Sequence, residues 1–319
     1  YLSFQKVRQD RVIVLTESIP RWLKEYVLSI DGLLTDYYFR TFPNLKFSAP
    51  AIFINNTTTD KSAAASYQAD VSSHKMLRYA FFNYDEDKFK GASLNIRSTF
   101  FHEYAHIIQP KTLASDNPPF IYEGGAEFLR WISEYHLGLK SKQVLAEEFE
   151  NNLSNCLKSV GASTWKDLPE SFRDRGDIPY SCGLSIHVIA LASKKNPDQS
   201  VKILGDYYAR TNSRASVEFS QYLECGDLPN CHATWLPNLM QENKSFYMEV
   251  DSQLDQLGLV IRRSSTSLTD EPARVAQSIF VELMKEDCGG NAGFWVKQEY
   301  FLIDKVNCKT FKADMKIAG

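Results

Sequence analysis

The sequence predicts an α+β fold: a small mixed sheet on one long buried helix, then a mainly helical lobe, then a short β-rich terminus. Three observations predict it. β-branched and aromatic runs cluster ahead of residue 85. Apolar residues then recur at helical spacing as far as about residue 260. Alternating apolar and polar runs return only near the end of the chain. The expected boundaries are 1–140 for the sheet and buried helix, 141–262 for the helical lobe, and 273–319 for the terminal region. A chain of 319 residues suits two domains, or one large domain in lobes.

Each element has a local reason. Residues 11–16 (RVIVLT) and 46–54 (KFSAPAIFI) read as strands, and so do 77–84 (LRYAFFNY). Residues 19–41 read as a helix, with Trp22, Tyr26, Val27, Ile30, Leu33 and Leu34 at helical spacing and Pro20 near its start. The polar stretch 55–70 reads as a loop, and Asp85-Glu86-Asp87 as an acidic turn. Residues 92–109 form the next predicted helix. Its apolar residues surround most of the circumference, so it is expected to be buried, and Pro110 stops it. A second helix opens at Pro118-Pro119 and runs to about Tyr135. From 141 to 260 the pattern stays helical, with breaks near Gly161, Gly176, Asn196 and Cys225–Cys231. Residues 262–272 read as a linker. Beyond it, 278–285, 294–303 and 309–317 read as strands, with Gly289-Gly290 in a turn.

Composition excludes some partners. Hydrophobic residues make up 44% and charged residues 24%, the balance of a globular protein. A net charge of -3 with no Lys/Arg cluster argues against nucleic acid. No apolar run approaches the roughly 18 residues that span a bilayer.

All six cysteines lie from Cys156 onward, and none forms a C-x-x-C pair. An even count without that pair suits disulfides in an oxidising compartment. Proximity pairs Cys225 with Cys231 and Cys288 with Cys308, which leaves Cys156 with Cys182. The competing reading is buried free thiols in a cytosolic chain. Glycosylation-type sequons begin at Asn55, Asn56, Asn152 and Asn243, and the first residue is Tyr1 rather than Met. Together these predict a secreted or periplasmic protein whose signal peptide has been removed.

The chemistry centres on His102-Glu103-Tyr104-Ala105-His106. Histidines four apart on a helix share one face and can share one ion. Glu103 lies a quarter turn round, where it can reach a water at that ion without binding the ion itself. This H-E-x-x-H pattern is the zinc metalloprotease motif. A catalytic zinc with two histidines usually takes one carboxylate as well. Glu123, early in the next helix, can fold back to supply it, and Glu127 one turn on can orient His102. Gly124 and Gly125 each cost about 1 kcal/mol inside a helix relative to Ala, which points to close approach of the two helices. The competing readings are two core histidines and a solvated Glu123.

These residues carry a resemblance. H-E-Y-A-H followed by Tyr122-Glu123-Gly124-Gly125-Ala126-Glu127-Phe128 resembles the gluzincins, zincin-type peptidases whose third ligand is Glu. The likeness is to the aminopeptidase and leukotriene-hydrolase branch and to peptidase MA-like domains, whose N-E-G-x-A segment differs here in having Tyr122 before the Glu. It implies one zinc ion on His102, His106 and Glu123, with Glu103 as general base and a peptide or protein as substrate. Ile178-Pro179-Tyr180-Ser181-Cys182-Gly183 resembles the same branch's Y-x-x-G segment, which implies Tyr180 as oxyanion donor. Cys182 stands where that family often has Lys. His187 is the fallback electrophile, or else a core histidine. No G-x-M-E-N segment is present, so endopeptidase action is expected over aminopeptidase action. The strand at 77–84 is expected to pair with extended substrate. A catalytically silent binding module and a small-molecule hydrolase on the same fold are the alternative readings.

Overall fold

The computed structural model describes residues 2–5, 13–16, 19–45, 47–57, 64–72, 74–110, 113, 119–160, 164–165, 178–192, 197–212, 219–226, 230–241, 245–258, 293–296, 300–305 and 316–318. The chain is α+β and divides into two compact units, Tyr1–Leu259 and Val260–Gly319.

The first unit opens on a mixed sheet. Its strands are β1 (Leu2–Gln5), β2 (Ile13–Thr16), β3 (Ala51–Thr57), β4 (Ser66–Val71) and β5 (Met76–Phe82). Their order across the sheet is β1-β2-β3-β5-β4. The pairs β2/β3 and β3/β5 are parallel, whereas β1 and β4 lie antiparallel on the two edges. Alternation sets the buried face: Ile52 and Ile54 of β3, and Leu77, Tyr79 and Phe81 of β5, all point into the core.

This corrects two expectations. Residues 55–70 are not all loop, because β3 runs on to Thr57 and β4 begins at Ser66. Its sequence SYQADV is polar and half exposed, so it lacks the hydrophobic signal of a buried strand. In consequence β5 is not the edge. It is hydrogen-bonded to β3 on one side and β4 on the other, so it cannot also pair with a substrate. The edge beside the long helix is β4, whose Tyr67 hydroxyl lies 2.9 Å from Thr99 Oγ1. The short strand β1 was not expected either.

Helix α1 (Arg21–Thr41) and helix α2 (Glu86–Ile108) pack together. Tyr26 donates to the Ser93 carbonyl at 3.1 Å, and its ring meets Phe89 edge-on. Tyr79, Phe81, Phe89 and Phe100 join sheet to helix in one aromatic cluster. Helix α2 starts well before residue 92. Asp85, expected in a turn, is its N-cap and accepts from the Lys88 amide at 2.8 Å. Glu86 and Asp87 then sit in the first turn, where the helix dipole favours negative charge. At the other end the Lys75 ammonium binds the carbonyl of Gln109 at 2.6 Å and that of His106, groups that a helix end leaves without partners.

Among the described residues the elements that follow in this unit are helical, as expected: α3 (Pro119–His136), α4 (Lys142–Val160), α5 (Gly183–Ala192), α6 (Pro197–Asn212), α7 (Phe219–Cys225), α8 (Trp235–Gln241) and α9 (Phe246–Gln256). A π-helical turn, Ile178–Cys182, leads into α5. Two disulfides close as expected, Cys156–Cys182 and Cys225–Cys231. The Cys288–Cys308 pairing, the linker at 262–272 and the strand at 278–285 lie outside the described residues. No helix among the described residues is long and apolar enough to cross a membrane.

The second unit holds an antiparallel sheet of β6 (Gly293–Val296), β7 (Tyr300–Lys305) and β8 (Lys316–Ala318). The run 294–303, expected as one strand, spans parts of two neighbours that pair with each other.

Candidate metal centre

Helix α2 carries His102, Glu103 and His106 past its midpoint, opposite the first turns of α3. One helical turn separates the histidines and brings their Nε2 atoms to 3.1 Å. Helix α3 folds back so that Glu123 Oε2 lies 3.1 Å from His102 Nε2 and 3.3 Å from His106 Nε2. The three expected ligands therefore meet at one point and form a group that could hold a metal ion. Both histidines are buried.

Carboxylates dominate the electrostatics on the His102 side. His102 Nδ1 lies 2.7 Å from Glu127 Oε1, a charge contact more than an aligned hydrogen bond. Burial works against charge on the ring, but Glu123, Glu127 and Glu103 outweigh it and push the imidazole up to about 10. Burial likewise opposes charge on Glu123, yet the two histidines bring its carboxyl down to about 2. Glu127 is held well below the usual carboxylate range, against its burial, by Arg130 and His102.

Arg130 organises what lies behind. It donates to Glu127 Oε2 at 2.9 and 2.7 Å, to Glu134 at 3.0 Å and to Glu148 of α4. Glu134, whose side chain is fully buried, also accepts from Ser98 of α2 at 3.0 Å and faces the Lys140 ammonium at 2.6 Å. Lys140 reaches Glu148 as well, at 2.8 Å. Buried Glu134 and half-buried Glu127 and Glu148 thus each have a cationic partner, the condition under which charge persists out of water.

His106 is held differently. Its Nδ1 lies 2.6 Å from Gln109 Oε1, and its ring stacks on Tyr122 at 4.1 Å and 16°.

Glu103 sits beside this cluster. Burial raises its carboxyl above the ordinary value, partly offset by His102 and His106 and reinforced by Glu123 and Asp70. Its charge adds to burial in raising the hydroxyls of Tyr79, Tyr122 and Tyr180. Tyr180 stands in the π turn with its ring 5.5 Å from that of His102, and it is 42% exposed. Burial first, then Glu123, Glu103 and Glu127, push its hydroxyl up to about 12, so it keeps its proton at neutral pH.

The turn bearing Tyr180 is fixed from two sides. Cys156–Cys182 ties it to α4. Immediately after it, Gly183 lies against Gly124, where a Cβ on Gly124 would come within 2.4 Å of the Gly183 Cα. Gly124 therefore serves the approach of α3 to α5 and not, as expected, that of α2 to α3. Gly125 has a separate reason, since a Cβ there would fall 2.5 Å from the Tyr208 hydroxyl.

His187 is not part of the cluster. It is fully buried, its Nδ1–H donates to the Gly183 carbonyl at 2.8 Å, and it lies among Phe128 and Phe219. Burial brings it down to about 4. It is a core histidine, not an electrophile at the cleft.

Sequence reasoning missed Gln109, Arg130 and the Tyr122 ring. Spacing held a signal for two of them: Gln109 is three residues past His106, and Arg130 three past Glu127, each one helical turn from its partner. No protein-family model matches the chain, and no curated protein matches it.

Proposed function

We propose that the protein is a zinc-dependent hydrolase of gluzincin type, acting on peptide bonds as an endopeptidase. The observation that carries this reading is the triangle of His102 Nε2, His106 Nε2 and Glu123 Oε2, with edges of 3.1, 3.1 and 3.3 Å and with Glu103 beside it. Zinc bonds of about 2.0–2.2 Å in tetrahedral geometry put neighbouring ligand atoms about 3.3–3.6 Å apart. The triangle matches one face of that tetrahedron within a few tenths of an ångström. Two imidazoles and one carboxylate are also the donor set of catalytic zinc sites, which leave one position for water.

Zinc bound there would supply a Lewis acid and would acidify a water at the open position. The chain's own groups do the rest. Glu103 takes the proton from the attacking water and passes it to the leaving amine. Tyr180, protonated at neutral pH, donates to the carbonyl oxygen as that atom gains charge. Glu127 orients His102. The outer edge of β4 offers backbone groups to an extended substrate. Its one carboxylate, Asp70, is engaged by Arg78 at 2.5 and 2.7 Å rather than offered to a free amino terminus, which supports endopeptidase over aminopeptidase action. The two disulfides are compatible with a secreted or periplasmic location.

The test is cleavage of an unfolded protein, with and without chelator, alongside metal content. Wild type should bind one zinc and cleave. Glu103→Gln should keep the zinc and lose turnover. Full activity in that variant would sink the mechanism. Zinc bound with no cleavage of any peptide would favour a binding module or a small-molecule hydrolase.

A further inference from the structure

The carboxamide of Gln109 has only one workable orientation. Its nitrogen lies 2.8 Å from the Tyr122 carbonyl oxygen and 3.0 Å from the Tyr208 hydroxyl. A backbone carbonyl can only accept, so the amide nitrogen must face it, and a flipped amide would set two oxygens against each other. The amide oxygen is left facing His106 Nδ1 at 2.6 Å. That oxygen also only accepts, so Nδ1 must carry the imidazole proton. In the neutral ring Nε2 is then bare, and Nε2 is the atom 3.1 Å from His102 Nε2 and 3.3 Å from Glu123 Oε2.

We propose that Gln109 is a positioning residue that selects the tautomer of His106 and couples the histidine helix to the third ligand. The inference rests on the zinc reading above. The coupling follows from chain order: the carbonyl that orients Gln109 belongs to Tyr122, the residue before Glu123. One side chain thus holds the ring of one ligand and the backbone leading to another. The pocket is built for it. Gln109 is 1% exposed, so water does not compete for its bonds. Gly125 leaves the room, since a Cβ there would lie 2.5 Å from the Tyr208 hydroxyl and 3.0 Å from Gln109 Nε2.

Two measurements on the full chain test this: zinc affinity by chelator competition, and the imidazole nitrogen resonances of His106 in metal-free protein. Wild type should show the Nδ1–H tautomer. Gln109→Leu should lower zinc affinity by about 10–100-fold, the usual effect of removing such a partner, and should mix the tautomers. Tyr208→Phe leaves the Tyr122 bond in place and touches no ligand, so it should lower affinity by less. A folded Gln109→Leu variant with unchanged zinc affinity and a single Nδ1–H tautomer overturns the proposal. So does an Nε2–H tautomer in wild type, which settles the matter even if Gln109→Leu does not fold. A wild-type protein that binds no zinc but shows the Nδ1–H tautomer overturns the zinc reading and leaves the tautomer assignment standing.

Discussion

The two histidines of the cluster occupy the same face of one helix, yet they are backed by opposite means. Behind His102 stands charge: Glu127 at 2.7 Å, then Arg130, then Glu134, Glu148 and Lys140. Behind His106 stands a neutral amide, fixed by a carbonyl and a hydroxyl. Both arrangements present Nε2 to the same point. They differ in what they ask of the fold. An amide needs only good hydrogen-bond geometry. A buried carboxylate needs a counter-charge, and that counter-charge needs its own partners. The charged side therefore recruits three elements, with Ser98 from α2, Arg130 and Glu134 from α3 and Glu148 from α4. The amide side also joins three elements, with Gln109 at the end of α2, Tyr122 of α3 and Tyr208 of α6, but through neutral hydrogen bonds that need no counter-charge.

Removing Arg130 is the hardest test of that difference. Arg130→Met leaves Glu127, Glu134 and Glu148 short of their shared partner in a buried place. Breaking a buried ion cluster from one side costs about 3–5 kcal/mol, so the variant should unfold at clearly lower denaturant. Gln109→Leu leaves only neutral groups unpaired, at about 1–3 kcal/mol each at most, so it should shift the denaturation midpoint less. Equal losses of stability from the two variants would break the distinction.

A gentler change sharpens it. Glu127→Gln keeps the shape beside His102 and removes the charge. Zinc affinity should fall by about 10–100-fold, the range for a lost ligand-orienting partner. Chelator competition measures it. An unchanged affinity would mean that a neutral amide serves His102 as well as it serves His106.

How much of this was legible in the sequence depended on distance along the chain. His102, Glu103 and His106 needed only helical geometry, and Glu123 needed one helix–turn–helix reversal. Both arguments use residues close in sequence. The reason for Gly124 was not legible, because its neighbour Gly183 comes from a later helix. The partners of Arg130 beyond its own helix, Glu148 and Lys140's link to it, were hidden for the same reason. Strand β4 was hidden by composition. An edge strand with a polar outer face gives no hydrophobic period, and only its pairing with β5 reveals it. The first turn of α2 was missed because Gly91 lowers helix propensity, although the Asp85 cap was there to read.

Charge behind His102 also has a consequence in pH that an amide cannot have. Glu123 and Glu127 push that imidazole up to about 10, against burial, from an ordinary value of 6.5. Without zinc the ring therefore keeps its proton across neutral pH. A zinc ligand must offer a bare Nε2, so zinc has to displace that proton. One proton displaced per ion means that affinity rises about tenfold for each pH unit through this range. The rise should level off above pH 10, where the ring is already neutral. Stability of the zinc-free protein runs the other way. A raised folded-state value contributes stability that is complete below about 6.5 and is lost as pH climbs through about 10. Chelated protein should therefore melt progressively lower over that window, while zinc-loaded protein, whose His102 carries no such proton, should not lose this contribution. Glu127→Gln removes one of the three carboxylates that raise this ring, Glu123, Glu127 and Glu103, and should narrow the window toward the ordinary histidine value. Zinc affinity that stays flat from pH 6.5 to 9 in wild type would show that carboxylates do not set the protonation of His102, and the contrast between the two histidines would then reduce to hydrogen-bond geometry.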